Sequence, residues 1–236
     1  MTVNKEFLKK EALLAGVELN EEMLERFDCF ASLLIETNKQ FNLTAITEPD
    51  DIVVKHFADS ISLLGAVNVP KGAKLIDVGT GGGFPGIPLL IARPDLDITM
   101  MDSTGKKLNF VSGAVTQLGL KASIVHARAE EAGRGELRES FDFAVSRAVA
   151  ALNVLAEYCL PFVKVGGMFI PMKGAKAAEE MGLARTAVKT LGGKYINEVN
   201  PRLSDGAERS IIIFEKVSAT PPKYPRPSAQ ISKRPL

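Results

Sequence analysis

Leu75-Ile76-Asp77-Val78-Gly79-Thr80-Gly81-Gly82-Gly83-Phe84-Pro85-Gly86 is the stretch whose reading decides the fold. A short apolar run ends beside an acid, passes directly into glycines and opens a helical segment, Gly86–Ala92. Glycine allows positive φ and lets the backbone approach a ligand with no Cβ in the way. Outward from this turn the same texture repeats. Apolar runs predict strands at Ala73–Val78, Asp97–Asp102, Ala122–His126, Phe141–Ser146 and Gly167–Pro171. Segments of helical length, Lys106–Leu118, Ala129–Leu137 and Ala150–Val163, lie between them. Such alternation implies a parallel sheet with right-handed crossovers. Lys194–Val199 and Ser210–Lys216, separated by a polar connection with Pro201 and Gly206, read as a closing pair of strands. The expectation is a doubly wound, seven-stranded, mostly parallel α/β sheet.

The flanks read differently. Residues 1–50 form a helical extension: Asn20 caps a helix with Glu21 and Glu22 in its first turn, and Met23, Phe27, Phe30 and Leu34 recur at helical spacing. Thr47, Pro49 and Asp50 open a further helix faced by Val53, Phe57, Ile61 and Leu64. Residues 51–216 hold the nucleotide-binding fold. Residues 217–236 carry five prolines, four basic residues and no acid, so they are expected to lie extended over the body or stay mobile.

A formal net charge of +1 argues against a protein that coats nucleic acid through overall basicity, but leaves room for a local basic face. Two cysteines, Cys29 and Cys159, give no disulfide framework and read as buried free thiols; with His56 and His126 they offer no metal-ligand spacing. No metal is expected. The N-terminal stretch has no apolar signal region and no run suits a membrane span, so a cytoplasmic protein is the reading; a monomer is expected, though these features do not bear on it.

The glycines fit two cofactor classes. Gly81-x-Gly83-x-x-Gly86 with Asp102 further on matches a dinucleotide fingerprint and a nicotinamide-dependent oxidoreductase. Asp77-x-Gly79-x-Gly81-x-Gly83 instead looks like the first motif of class I methyltransferases, whose acid helps to hold the cationic end of S-adenosylmethionine. A carboxylate there repels a pyrophosphate. Asp102 and Ser103 end the second strand, where an acid can accept ribose hydroxyls, and Arg128-Ala129-Glu130 follow the third. These features favour the methyl donor. Either strand-end acid could also simply cap the following loop. A non-catalytic RNA-binding module and a small-molecule methyltransferase remain further alternatives.

Two further absences bear on subclass. Methylation of an exocyclic amine commonly uses an Asn/Asp-Pro-Pro-aromatic motif after the fourth strand, where this chain has Ser146-Arg147-Ala148-Val149. Carbon-5 methylation needs a cysteine nucleophile, and neither cysteine follows a strand near the turn. Guanine N7 needs only alignment and tolerance of charge.

The sequence resembles the ribosomal RNA small subunit methyltransferase G family. The resemblance rests on Asn38–Ile46, His56–Ser60, Asp77–Pro88, Asp102-Ser103, Arg128–Glu131, Ser146–Ala148, Lys173-Gly174, Glu208-Arg209 and Tyr224–Arg226. It implies N7-methylation of one guanosine, nucleotide 527 in the 530 loop of bacterial 16S rRNA, in the RNA or the assembling small subunit. It also implies that Gly79 and Phe84 line the cofactor, that Ala129 and Glu130 meet its adenine, and that Arg147 stands at the mouth of the site. Asp77, Gly81, Asp102 and Ser103 complete the expected cofactor set, and Arg147 and Lys173 are the candidate catalytic residues. His56, Lys173, Arg209 and Arg226 are candidate RNA contacts. His56, with Asp59 and Ser60 on one helix face, equally suits a structural hydrogen-bond cluster.

Overall fold

The computed structural model describes residues 2–236; Met1 lies outside them. Helices α1 (Lys5–Leu14) and α2 (Glu21–Asn38) open the chain. Asn4 and Asn20 cap them by accepting from the amides of Phe7 and Met23, as such short polar side chains do at orphan donors. Helical structure then lapses until α3 (Pro49–Asp51), which begins after Glu48 rather than at Thr47. It runs through a π-helical segment (Ile52–Ala58) into α4 (Asp59–Ala66).

The sheet follows: β1 (Lys74–Val78), β2 (Asp97–Asp102), β3 (Ser123–His126), β4 (Phe141–Arg147), β5 (Val163–Lys173), β6 (Gly193–Val199) and β7 (Ser210–Lys216). Between the strands lie α5 (Gly86–Ala92), α6 (Gly105–Gln117), α7 (Ala129–Ala132), α8 (Leu152–Cys159) with a 3-10 turn (Leu160–Phe162), and α9 (Ala177–Thr190). The sheet order is β3-β2-β1-β4-β5-β7-β6. Strands β1 to β5 are parallel, and β7 lies antiparallel between β5 and β6. The seven-stranded, doubly wound expectation holds.

Two helical assignments differ. The stretch expected helical to Leu137 is one turn, α7, and α9 had no counterpart in the sequence reading. The buried side of α9 is mostly alanine (Ala177, Ala184, Ala187, with Val188), while Leu183 is exposed. Small apolar residues on the inner face give a weak periodic signal.

Strand residues alternate between two cores. Leu75, Phe143, Val145, Ile170 and Ile211 face the cluster built with α1, α2 and the π-segment, where Phe27, Phe30 and Phe57 are wholly buried. Ile76, Ala144, Phe169 and Phe214 face α8 and α9. The topology reverses between β1 and β4. In open α/β sheets, ligands bind outside the carboxyl ends of strands at such a switch point.

Of the two arrangements expected for the tail, it takes the one over the body, though not extended throughout. Residues 217–236 dock: Thr220, Tyr224 and Ile231 are buried, and the segment ends in α10 (Ser228–Lys233), which packs on α8. Cys29 departs from expectation, lying exposed on α2, whereas Cys159 is buried as expected.

Candidate active site

The glycine turn leaves β1 with Gly79, Gly81 and Gly83 at φ of 76°, 57° and 92°. The amides of Gly79 and Thr80 donate to the Met101 carbonyl at 2.8 and 2.9 Å, tying the turn to β2. A Cβ on Gly79 would lie 2.5 Å from Val149 Cγ2, because the loop after β4 crosses the turn closely. A Cβ on Gly81 would meet nothing within 4 Å and would project into open space.

The turn lines a cavity of about 510 Å³ at the carboxyl ends of β1, β2 and β4, in the size range of small-molecule sites. Gly79, Gly81, Phe84, Asp102 and Ser103 line it from the turn and β2. Ala129, Glu130, Arg147 and His56 line it from the other sides. Nine of the thirteen expected site residues thus converge. Asp102 accepts from the Gly81 amide at 2.9 Å through Oδ2 and from the Thr104 amide at 2.8 Å through Oδ1.

Asp77 does not line the cavity. It lies wholly buried behind the turn, where Oδ2 accepts from Thr80 Oγ1 at 2.6 Å and from the Gly86 amide at 2.9 Å. Burial raises its pKa to about 6 despite those bonds, and its Oδ1 is buried without a hydrogen-bond partner.

At the mouth, a cluster joins β4 to the π-segment. Arg147 donates through Nη1 to Asp59 Oδ2 at 2.6 Å and to the Lys55 carbonyl at 2.8 Å, and through Nη2 to His56 Nδ1 at 3.0 Å. Because Nδ1 accepts, Nε2 carries the proton and donates to Thr44 Oγ1 at 2.8 Å. The imidazole stacks on Phe84 at 4.2 Å and 13°. The Arg147 guanidinium lies 5.2 Å from the same ring centroid. The π-helical segment turns His56 and Asp59 toward β4; such segments often mark functional sites. Beyond Arg147, Ala148 holds φ at 56°, a left-handed conformation uncommon for alanine.

Burial first, and then Arg147, lowers the His56 pKa to about 3 from an ordinary 6.5. Between those values the unfolded chain binds this proton and the folded chain does not, so acidification favours unfolding. Asp77 acts in the opposite sense, holding a proton when folded up to about pH 6. A His56→Gln variant separates the two effects. From pH 7 to pH 4.5 the parent should lose about 2 kcal/mol more stability than His56→Gln in urea titrations. Equal losses would show that His56 is not held neutral.

The remaining expected cations are held elsewhere. Lys173 Nζ donates to the Ala150 carbonyl and to Glu180, each at 2.7 Å, outside the cavity. Arg209 is gripped by Asp59 at 3.0 Å and by Asp205 at 2.7 and 2.9 Å. Arg226, a candidate phosphate contact, has a carboxylate partner within the chain. Its guanidinium lies on Glu157, at 2.6 Å from Nη2 to Oε2, and the Glu157 side chain is fully buried. A buried carboxylate demands a partner, and the tail supplies it.

Sequence reasoning gave no site role to Tyr158 and Ser228, which also line the cavity. Tyr158 lies on α8 and Ser228 lies 70 residues further on, so no local pattern links them. No group of three or more His, Cys, Asp or Glu side chains suited to a metal ion occurs among the described residues. None of the described helices is long and apolar enough to cross a membrane.

Sheet order, the single antiparallel β7 and a glycine turn at the β1/β4 switch point define a Rossmann-like methyltransferase fold. Solved structures agree on the fold. The SAM-dependent O-methyltransferase from Thermotoga maritima superposes with a TM-score of 0.53 at 16% identity, over 80% of this chain and 72% of that one. M. jannaschii TYW2 in complex with AdoMet gives 0.51 at 16%, over 64% and 72%. The family model described as GidB, rRNA small subunit methyltransferase G, matches residues 23–206. The Ribosomal RNA small subunit methyltransferase G of Lachnoclostridium phytofermentans is 48% identical over 94% of this chain and 93% of its own length. This chain belongs to the rRNA small subunit methyltransferase G family.

Proposed function

We propose that the protein transfers a methyl group from S-adenosylmethionine to N7 of guanosine 527 in the 530 loop of 16S rRNA. The observation that carries this reading is the cavity at the β1/β4 switch point, rimmed by the glycine turn and Asp102 and with Arg147 at its mouth, in a chain of this family.

The residues present fit the methyl donor. Gly79 and Gly81 leave the turn open, Asp102 and Ser103 end β2 where ribose hydroxyls can be held, and Ala129 and Glu130 lie beside the following loop. Asp77, with a buried unpartnered oxygen, suits positive charge nearby. When bound, S-adenosylmethionine supplies an electrophilic methyl group on sulfur.

The chain's own groups suit a nucleophile that carries no proton. Guanine N7 has an in-plane lone pair, so the site must align and stabilise rather than deprotonate. His56, the obvious base, has both ring nitrogens engaged, one accepting from Arg147 and one donating to Thr44, so no lone pair is free. Cys159 is fully buried and burial pushes its thiol well above the ordinary range. Cys29 lies on the outer surface of α2. In this reading Arg147 faces the substrate, while Lys173 and Arg209 are positioning residues that act through Glu180 and Asp59.

Reverse-transcription mapping of N7-methylguanosine in rRNA, from cells with and without the protein, tests the proposal. The modification should disappear with the protein; its persistence would sink the assignment. Cys29→Ser and Cys159→Ala should methylate like the parent, and an RNA adduct trapped on either cysteine would overturn a base-free, nucleophile-free transfer.

A further inference from the structure

Residues 217–236 are a segment to which the proposed chemistry gives no part, yet they are anchored more heavily than a surface strap requires. Arg226 grips buried Glu157 with its backbone amide at 2.8 Å, with Nε at 2.9 Å and with Nη2 at 2.6 Å. Arg138 reaches the Thr220 and Tyr224 carbonyls at 2.5 and 2.8 Å, and Arg134 reaches those of Pro225 and Lys223 at 2.7 and 3.1 Å. Thr220 Oγ1 donates to the Leu191 carbonyl at 2.8 Å and accepts from fully buried Lys216 at 2.6 Å. Ser228 therefore stands between two fixed points, Arg226 before it and wholly buried Ile231 after it.

Ser228 lines the cavity, and its Oγ lies 3.3 Å from Tyr158 Oη, which lines it too. A tail that only covered apolar surface would have no reason to place a hydroxyl there. We propose that the C-terminal segment is a built part of the cofactor site. Ser228, paired with Tyr158, forms a polar wall for the nucleoside portion of the methyl donor, beside Ala129 and Glu130. The inference rests on the methyl-donor reading above and adds to it a residue and a segment. It also requires reciprocity: if the docked tail strengthens cofactor binding, bound cofactor must strengthen docking by the same factor.

The test uses S-adenosylhomocysteine, calorimetry and the full chain beside two variants. A chain ending at Pro227 keeps Arg226 on Glu157 and loses the wall; its affinity should fall roughly 3- to 10-fold, as for one lost hydrogen bond with some apolar contact. Ser228→Ala, which leaves the tail intact, should lose roughly 2- to 5-fold. In the full chain, saturating S-adenosylhomocysteine should slow tryptic cleavage after Lys223, an exposed tail residue. Parental affinity in Ser228→Ala, or cleavage indifferent to the ligand, overturns the proposal. Asp102→Ala, tested alongside, keeps the two claims apart. If it loses affinity while both tail changes bind like the parent, the wall is wrong and the cofactor reading stands. If the parent itself does not bind, both fall.

Discussion

Arg226→Ala is expected to destabilise the protein by about 3–5 kcal/mol, the usual result of removing one partner from a buried ion pair. Glu157 is wholly enclosed between α8 and the tail, and Arg226 satisfies both of its oxygens. Without the guanidinium, the carboxylate keeps its desolvation penalty and loses its counter-charge. The penalty belongs to the stranded acid rather than to the missing bond, so Glu157→Leu with Arg226→Met should recover much of the loss. Urea unfolding of the single and double variants checks both statements. A loss below about 1 kcal/mol for Arg226→Ala, the scale of a surface pair, would mean that the tail is not docked as described.

Gly81→Val is expected to weaken S-adenosylmethionine binding at least about 100-fold, a difference of roughly 2.7 kcal/mol. Two effects combine. Gly81 holds φ at 57°, which a β-branched residue resists, and it lines the cavity with nothing within 4 Å of its absent Cβ. The isopropyl group thus occupies ligand space without disturbing the core. Gly81→Ala, carrying only the Cβ, should fall between parent and valine. Calorimetry showing unchanged affinity for Gly81→Val would remove the cofactor from this cavity.

The two variants probe different layers of the same information. The glycine turn was legible because its demands are local. Glycines directly after a strand, flanked by Asp77 and opening Gly86–Ala92, mark a backbone that must bend left-handed and stay bare, and the observed helix α5 has those bounds. The strands β2 and β7 likewise keep the bounds read from apolar runs, since a strand covered on both faces is a continuous apolar run between polar ends. α9 escaped because alanines fill its inner face, and Cys29 because the polarity of one residue does not say which side of a helix it takes.

By itself, then, the sequence determined the doubly wound, mostly parallel sheet and the glycine turn that follows its first strand. It also carried the family resemblance that the matched residues 23–206 bear out. Only the tertiary structure decided where the cations go. Arg147 meets Asp59 across 88 residues, Arg209 meets the same carboxylate across 150, and Arg226 finds Glu157 across 69. A basic residue in a strand end or a proline-rich tail reads as a free charge, because nothing near it in the chain is its partner. The reason is physical: hydropathy and periodicity report a residue's own preference for water. The fate of a charge depends on which opposite charge the fold buries within 3 Å of it, and that is a property of the packed chain alone.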